Sequence, residues 1–311
     1  MACYHPIDVY QVHGEDVRLR FGVPSPSDDV RRVFKIPCNR CVGCRLRRSS
    51  EWALRCVHEA ALYKANSFIT LTYDNDHLPS AGSLHYPDFK GFIKRLNERL
   101  HRSGLPRVRY YMAGEYGALR SRPHYHACIF GYDFPDKHLW QKTPSGSLIY
   151  RSDLLEEVWP FGHSSVGDLT YQSAAYTARY VMKKVFGDDS QVAYLSDDFN
   201  LETGECLTRV PEFNRMSLKP GIGARWFEKY QTSVYPHDFL VHGGRKYKPP
   251  RYYDVLYERI PGSDIDYVRF ERTRRAEEIS ARPQPSLDSQ ESVAARSAAL
   301  LVRPLENDLC I

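Results

Sequence analysis

The sequence predicts an α+β protein: an antiparallel β-sheet with flanking helices, followed by a C-terminal extension. Two observations predict it. The apolar, β-branched runs follow one another in the order strand, helix, strand, strand, then strand and helix. The segments "RVRYYMAGEYG" and "HYHACIFGY" are joined only by the turn "GALRSRP", so they read as an antiparallel pair.

Taken in order, residues 31–36 form a short strand, and a helix over 45–64 carries the apolar stripe Leu46, Ala53, Val57, Ala60 and Ala61, with Glu51 and Arg55 paired one turn apart on another face. "SFITLTYD" is a buried strand over 67–73, rich in β-branched and aromatic residues. After a loop with Pro79, Gly82 and Pro87, a helix over 88–102 sets Phe89, Phe92, Ile93, Leu96 and Leu100 at helical spacing, with Asp88 as N-cap and Gly104 as stop. The two strands of the hairpin come next. A short helix at 154–158 ends before Pro160, a strand covers 163–170, and "SAAYTARYVMKKVFG" is a helix with two lysines and a glycine at its end. Residues 188–215 read as irregular, "GARWFEKYQTSV" as a helix, and 240–260 as basic and tyrosine-rich. A charged helix follows from 262, and from 282 a Ser/Pro/Gln-rich stretch is expected to be disordered. The expected organisation is a Cys/Arg-rich segment and helix (1–66), a core (67–187), a basic and aromatic extension (188–261) and a charged helix with tail (262–311).

Hydrophobic content of 42% supports a buried core, and no apolar run reaches the 18 or so residues of a membrane span. "MACYHPIDVY" lacks the charged and apolar regions of a signal peptide, so an intracellular protein with no membrane partner is expected. The net charge of +5 is modest, but it is clustered: Arg45, Arg47 and Arg48 stand among eight basic residues between 31 and 55, and Arg122 belongs to a second group with Arg107, Arg109 and Arg120. Basic clusters hold phosphates, and the aromatics interleaved with the later ones can stack unpaired bases.

Two constellations carry chemistry. On a strand, His124 and His126 point to the same face, about 7 Å apart at Cα. Glu115, on the preceding strand, completes a two-imidazole, one-carboxylate set if the register brings it opposite. Such a set suits Mg²⁺, Mn²⁺, Zn²⁺ or Fe²⁺ and leaves positions open for a substrate oxygen. On the following helix, Tyr176 and Tyr180 are one turn apart, with Lys183 on the same stripe. A cation beside a tyrosine hydroxyl suits attack on a phosphodiester. Separately, Cys38, Cys41 and Cys44 have the spacing of metal ligands, with Cys3, His5 or Cys56 as a fourth, and make a candidate structural Zn²⁺ site.

These motifs carry a resemblance. "RPHYHACIFG" resembles the His-hydrophobic-His motif of HUH endonucleases, and "SAAYTARYVMKK" is similar to the paired-tyrosine motif of rolling-circle replication initiators. With "FITLTYD", the early "PCNRCVGCR" and Trp52, the order and spacing look like the replication initiators of microviruses, most closely the gokushovirus type, over residues 36–187. The resemblance implies an HUH-type fold and Glu115, His124 and His126 as ligands of Mg²⁺ or Mn²⁺. It implies Tyr176 and Tyr180 as nucleophiles assisted by Lys183, and a nicking-joining reaction at a viral origin that is single-stranded at the nick. Host helicase and polymerase are then partners, in the bacterial cytoplasm. Tyr125 and Arg179 depart from the usual residues of these motifs, and Tyr125 is expected to face away from the ligands. Competing readings are a plasmid initiator or transposase of the same chemistry, a cupin-like His₂Glu metalloenzyme drawing on His163, and a plain nucleic-acid-binding module.

Overall fold

The structure, a computed structural model, describes residues 3–14, 18–117, 121–143, 146–179, 194–199 and 206–309. In chain order the elements are β1 (Ile7–Val12), β2 (Arg20–Phe21), β3 (Val30–Ile36), α1 (Val42–Ala60), β4 (Asn66–Tyr73), α2 (Tyr86–Arg102), β5 (Arg109–Tyr116), β6 (Pro123–Phe130), β7 (His138–Lys142), β8 (Leu148–Arg151), α3 (Asp153–Val158), β9 (Gly162–Gly167) and α4 (Tyr171–Arg179). They continue with β10 (Leu195–Phe199), β11 (Cys206–Thr208), β12 (Phe213–Met216), α5 (Ala224–Val234), β13 (Leu240–His242), β14 (Arg245–Tyr247), α6 (Arg251–Glu258), α7 (Ile265–Ser280) and α8 (Leu287–Leu309). Among the described residues, no helix is long and apolar enough to cross a membrane.

The chain divides into two units: residues up to Arg48 with Arg269–Arg303, and Ser49–Val268 with residues 304–311. In the first, β1 is the centre of a three-stranded antiparallel sheet, order β2-β1-β3. Strand β3 is mostly exposed, and the buried apolar residues up to Arg48 are Cys3, Val9, Tyr10, Cys41 and Cys44.

The second unit holds a seven-stranded sheet, order β12-β5-β6-β4-β9-β8-β7, in which every neighbouring pair is antiparallel. The α+β expectation holds: helices cover the two faces of an antiparallel sheet. Alternation along the strands sorts side chains between the faces. One face presents Ile69, Leu71, Met112, Tyr125, Ala127, Ile129 and Val166 to Phe89, Phe92, Leu96 and Leu100 of α2 and to Leu155 and Val158 of α3. Each large side chain buried here contributes about 1.5–3 kcal/mol. The other face presents Phe68, Tyr111, Ala113, Cys128 and Phe130 to Ala53 and Cys56 of α1 and to Ala174, Tyr176 and Ala178 of α4.

The extension after β12 packs against the C-terminal part of α1. Glu59 accepts from Arg109 Nε at 2.7 Å and, through its other oxygen, from the Gly223 amide at 2.7 Å. His58 Nδ1 and the Tyr253 hydroxyl lie 2.9 Å apart.

Several expectations need correction. Helix α2 starts at Tyr86, with Pro87 in its first turn, where the missing N–H costs nothing. Asp88 therefore does not cap it; its carboxylate accepts from the Tyr73 hydroxyl at 2.8 Å. Residues expected to be irregular between 188 and 215 include β12, an edge strand whose pairing with β5 is long-range and invisible to local patterns. The tail after 282 is not disordered throughout, since α8 covers Leu287–Leu309. Its Ala, Leu, Gln, Glu and Arg content supports a helix once the prolines at 283 and 285 are passed.

Candidate metal centre

Register builds the centre. On the face covered by α1 and α4, Glu115 of β5 lies directly opposite His124 of β6, and Ala113 lies opposite His126. Ala113 offers only a methyl group, so the Glu115 carboxylate can reach diagonally to the second imidazole. Its Oε1 is 2.5 Å from His124 Nε2 and 2.7 Å from His126 Nε2. Their ligand atoms all lie within 4.8 Å of one another. His126 and Glu115 are buried, and His124 keeps 15% of its side chain exposed, so the group is reached from the His124 side.

The far nitrogens of both rings are also held. His124 Nδ1 donates to the Arg122 carbonyl at 3.0 Å, and His126 Nδ1 is 3.0 Å from Thr70 Oγ1 on β4. Thr70 is the register partner of His126. Such outer partners fix the ring tautomer and aim Nε2 at the centre. A neutral His124 that donates from Nδ1 has only a lone pair at Nε2, facing a carboxylate oxygen. The other carboxylate oxygen, Glu115 Oε2, is buried and accepts no hydrogen bond. Converging acceptors and an orphaned buried carboxylate oxygen fit a bound divalent cation. Burial opposes ionisation of Glu115, but the attraction of His124 and then His126 outweighs it and holds the carboxyl below the usual range.

Helix α4 brings a tyrosine to this centre. The Tyr176 ring meets the His126 ring edge to face at 5.0 Å and the Phe68 ring at 6.4 Å. The helix is pinned from both sides: Ser49 Oγ donates to the Ala175 carbonyl at 2.9 Å, and Asn214 Nδ2 of β12 donates to the Thr177 carbonyl at 3.3 Å. Tyr180 and Lys183 lie outside the described residues. Tyr125 turns to the opposite face as expected, where its buried hydroxyl pairs with the Tyr73 hydroxyl at 3.0 Å and both groups of the His85 backbone at 2.9 Å.

Arg122 is engaged within the protein, donating to the Tyr73 carbonyl at 2.9 Å and to Asn75 Oδ1 at 2.5 Å. Arg45, Arg47 and Arg48 lie in the first turns of α1, the latter two exposed. His163 faces the same side of the sheet, across Thr72 from His124, but stands exposed and outside the ligand group. That disfavours a centre needing a third imidazole. Sequence reading missed Thr70 and Asn214. Thr70 and Thr72, hydroxyls at alternate positions of an apolar strand, were the available signal.

Fold and site together define an α+β protein that presents a carboxylate and two imidazoles from the middle of an antiparallel sheet, with a helical tyrosine against them. The model of the family described as replication-associated protein ORF2 matches residues 66–185, a span that contains the centre. The chain is 35% identical to the replication-associated protein VP4 of Bdellovibrio phage phiMH2K, over 73% of this chain and 68% of that protein. It is 32% identical to the replication-associated protein ORF2 of Spiroplasma virus 4, over 89% and 87%. Against the replication-associated protein ORF4 of Chlamydia phage 1 it is 29% identical, over 75% of this chain and 56% of that protein. No solved structure matches. The chain belongs to this family of phage replication-associated proteins.

Proposed function

We propose that this protein initiates rolling-circle replication of a small phage by nicking and rejoining DNA through tyrosine. The observation that carries the reading is the contact of the Tyr176 ring with His126, itself one of three side chains converging at Glu115 Oε1. In the nick, the tyrosine oxygen bonds to phosphorus as the P–O3′ bond breaks. The proton lost by the phenol balances the one gained by the 3′-hydroxyl, and a 5′-phosphotyrosine remains. Joining is the reverse attack, so no nucleotide hydrolysis is required.

Glu115, His124 and His126 would hold Mg²⁺ or Mn²⁺, which supplies Lewis-acid polarisation of a phosphate oxygen. The protein's own part is orientation and exclusion of water. Thr70 and the Arg122 carbonyl aim the imidazoles, and the packing of α4 keeps Tyr176 buried beside them. Tyr180 serves as the second nucleophile that cuts the regenerated origin, and Lys183 offsets charge on the phosphate. Arg45, Arg47, Arg48 and Arg122 contribute to holding DNA. The 3′-hydroxyl is extended by the host polymerase with a host helicase, in the bacterial cytoplasm.

The test incubates the full chain with Mn²⁺ or Mg²⁺ and a single-stranded oligonucleotide pool drawn from the phage origin region. Denaturing gels and mass spectrometry then locate any adduct. A metal-dependent 5′ adduct on Tyr176 or Tyr180 is expected, with Tyr176→Phe and Tyr180→Phe each blocking part of the cycle. Cleavage without an adduct would replace the reading with a water-activating nuclease. Normal adducts and circles from both single variants would end the alternating-tyrosine scheme.

A further inference from the structure

We infer that Cys3, Cys38, Cys41 and Cys44 bind one structural Zn²⁺ that holds the N-terminal basic unit together. This is independent of the nicking reading. The four sulfurs lie within 4.8 Å of one another, and all four cysteines are free thiols. Four thiolates at the Zn–S distance of about 2.3 Å would stand about 3.8 Å apart, so a tetrahedral site lies within reach. Of the three candidates for the fourth ligand, only Cys3 is at the cluster. Cys56 is buried in the sheet cluster of the other unit, and His5 Nε2 is 2.5 Å from Glu291.

The backbone around the sulfurs points to thiolates. The amides of Arg40 and Cys41 donate to Cys38 Sγ at 3.4 and 3.3 Å, across a turn in which Asn39 takes a left-handed φ of 60°. The Cys38 amide donates to Cys3 Sγ at 3.3 Å and the Tyr4 amide to Cys41 Sγ at 3.4 Å. Neutral thiols are weak acceptors, whereas metal-bound thiolates gather amide donors in this way. Four converging negative sulfurs in turn need a cation between them.

The unit also needs a staple. Apart from three of these cysteines, its buried apolar residues up to Arg48 are Val9 and Tyr10, too little to order three strands without help. A metal bridging Cys3 to the 38–44 turn closes the chain around the whole sheet, and its binding energy becomes folding energy. It also fixes the first turn of α1, from which Arg45, Arg47 and Arg48 follow.

The experiment is elemental analysis of the full chain, purified without a polyhistidine tag and dialysed against EDTA to strip the His/Glu centre. The expected result is one zinc per chain, kept in the His124→Ala/His126→Ala double variant and reduced several-fold in Cys38→Ser and Cys41→Ser. Should those variants be insoluble, growth of the wild type with Co²⁺ decides. Intense thiolate-to-cobalt charge transfer is expected, retained with altered bands in Cys44→His. Zinc well below one per chain with all four thiols open to alkylation, loss of the zinc with the histidine pair, or a coloured protein carrying iron and sulfide would each overturn the assignment.

Discussion

Thr70→Val tests whether the second layer of the centre matters as the geometry indicates. The substitution keeps the branched shape and strand propensity of β4 and removes only the hydroxyl 3.0 Å from His126 Nδ1. His126 has almost no exposure, so water cannot replace the lost partner. An unsatisfied buried polar group costs about 1–3 kcal/mol. At about 1.4 kcal/mol per decade, that converts to a roughly 5- to 150-fold loss of cation affinity. This range brackets the 10- to 100-fold typical of outer-partner substitutions. The assay is calorimetric titration of the full chain with Mn²⁺, alongside adduct yield as a function of Mn²⁺. Thr70→Val should shift the half-saturating Mn²⁺ upward by that factor, with yield recovering at high Mn²⁺. Thr72→Val is the control, because the neighbouring His124 is aimed by a backbone carbonyl that no side-chain substitution removes. Unchanged affinity in Thr70→Val, or a loss of yield that excess Mn²⁺ does not restore, would refute the argument.

Two further predictions follow from the same sheet. Glu115 titrates below its unfolded value, so in metal-free protein its ionised form adds stability that is present above the unfolded carboxyl pKa of about 4.3 and is lost as pH falls through the lower folded value. Glu115→Gln should therefore flatten the acid limb of a melting-temperature profile and abolish Mn²⁺ binding; a parallel acid limb in the variant would show that other carboxylates dominate. On the opposite face, Tyr125→Phe removes a hydroxyl bonded at 2.9 Å to both backbone groups of His85 and at 3.0 Å to Tyr73. At about 1 kcal/mol per bond, a loss of about 2–3 kcal/mol is expected, or roughly 4–12 °C in melting temperature, with Mn²⁺ affinity little changed. A shift below about 1 °C would contradict the burial of that network.

Local periodicity was enough to read the strand and helix order of the core. Alternation alone put His124 and His126 on one face and Tyr125 on the other, because side-chain direction on a strand is a property of the backbone. The cysteine spacing likewise marked a ligand turn at 38–44. The limits lie where distant segments meet. That Glu115 stands opposite His124 is a matter of register, which depends on the hairpin turn and on which face α1 and α4 bury. Thr70 becomes the partner of His126 only because β4 pairs with β6 across 56 residues of chain. Cys3 prevails over His5 and Cys56 because β1 and β3 pair antiparallel, with Ile7 opposite Ile36, which returns the chain ahead of β1 to the turn after β3. The sequence by itself determined which residues have the chemistry and which way neighbours on one strand point. Tertiary structure decided which of them converge, since convergence is set by long-range pairing and packing that no local pattern encodes.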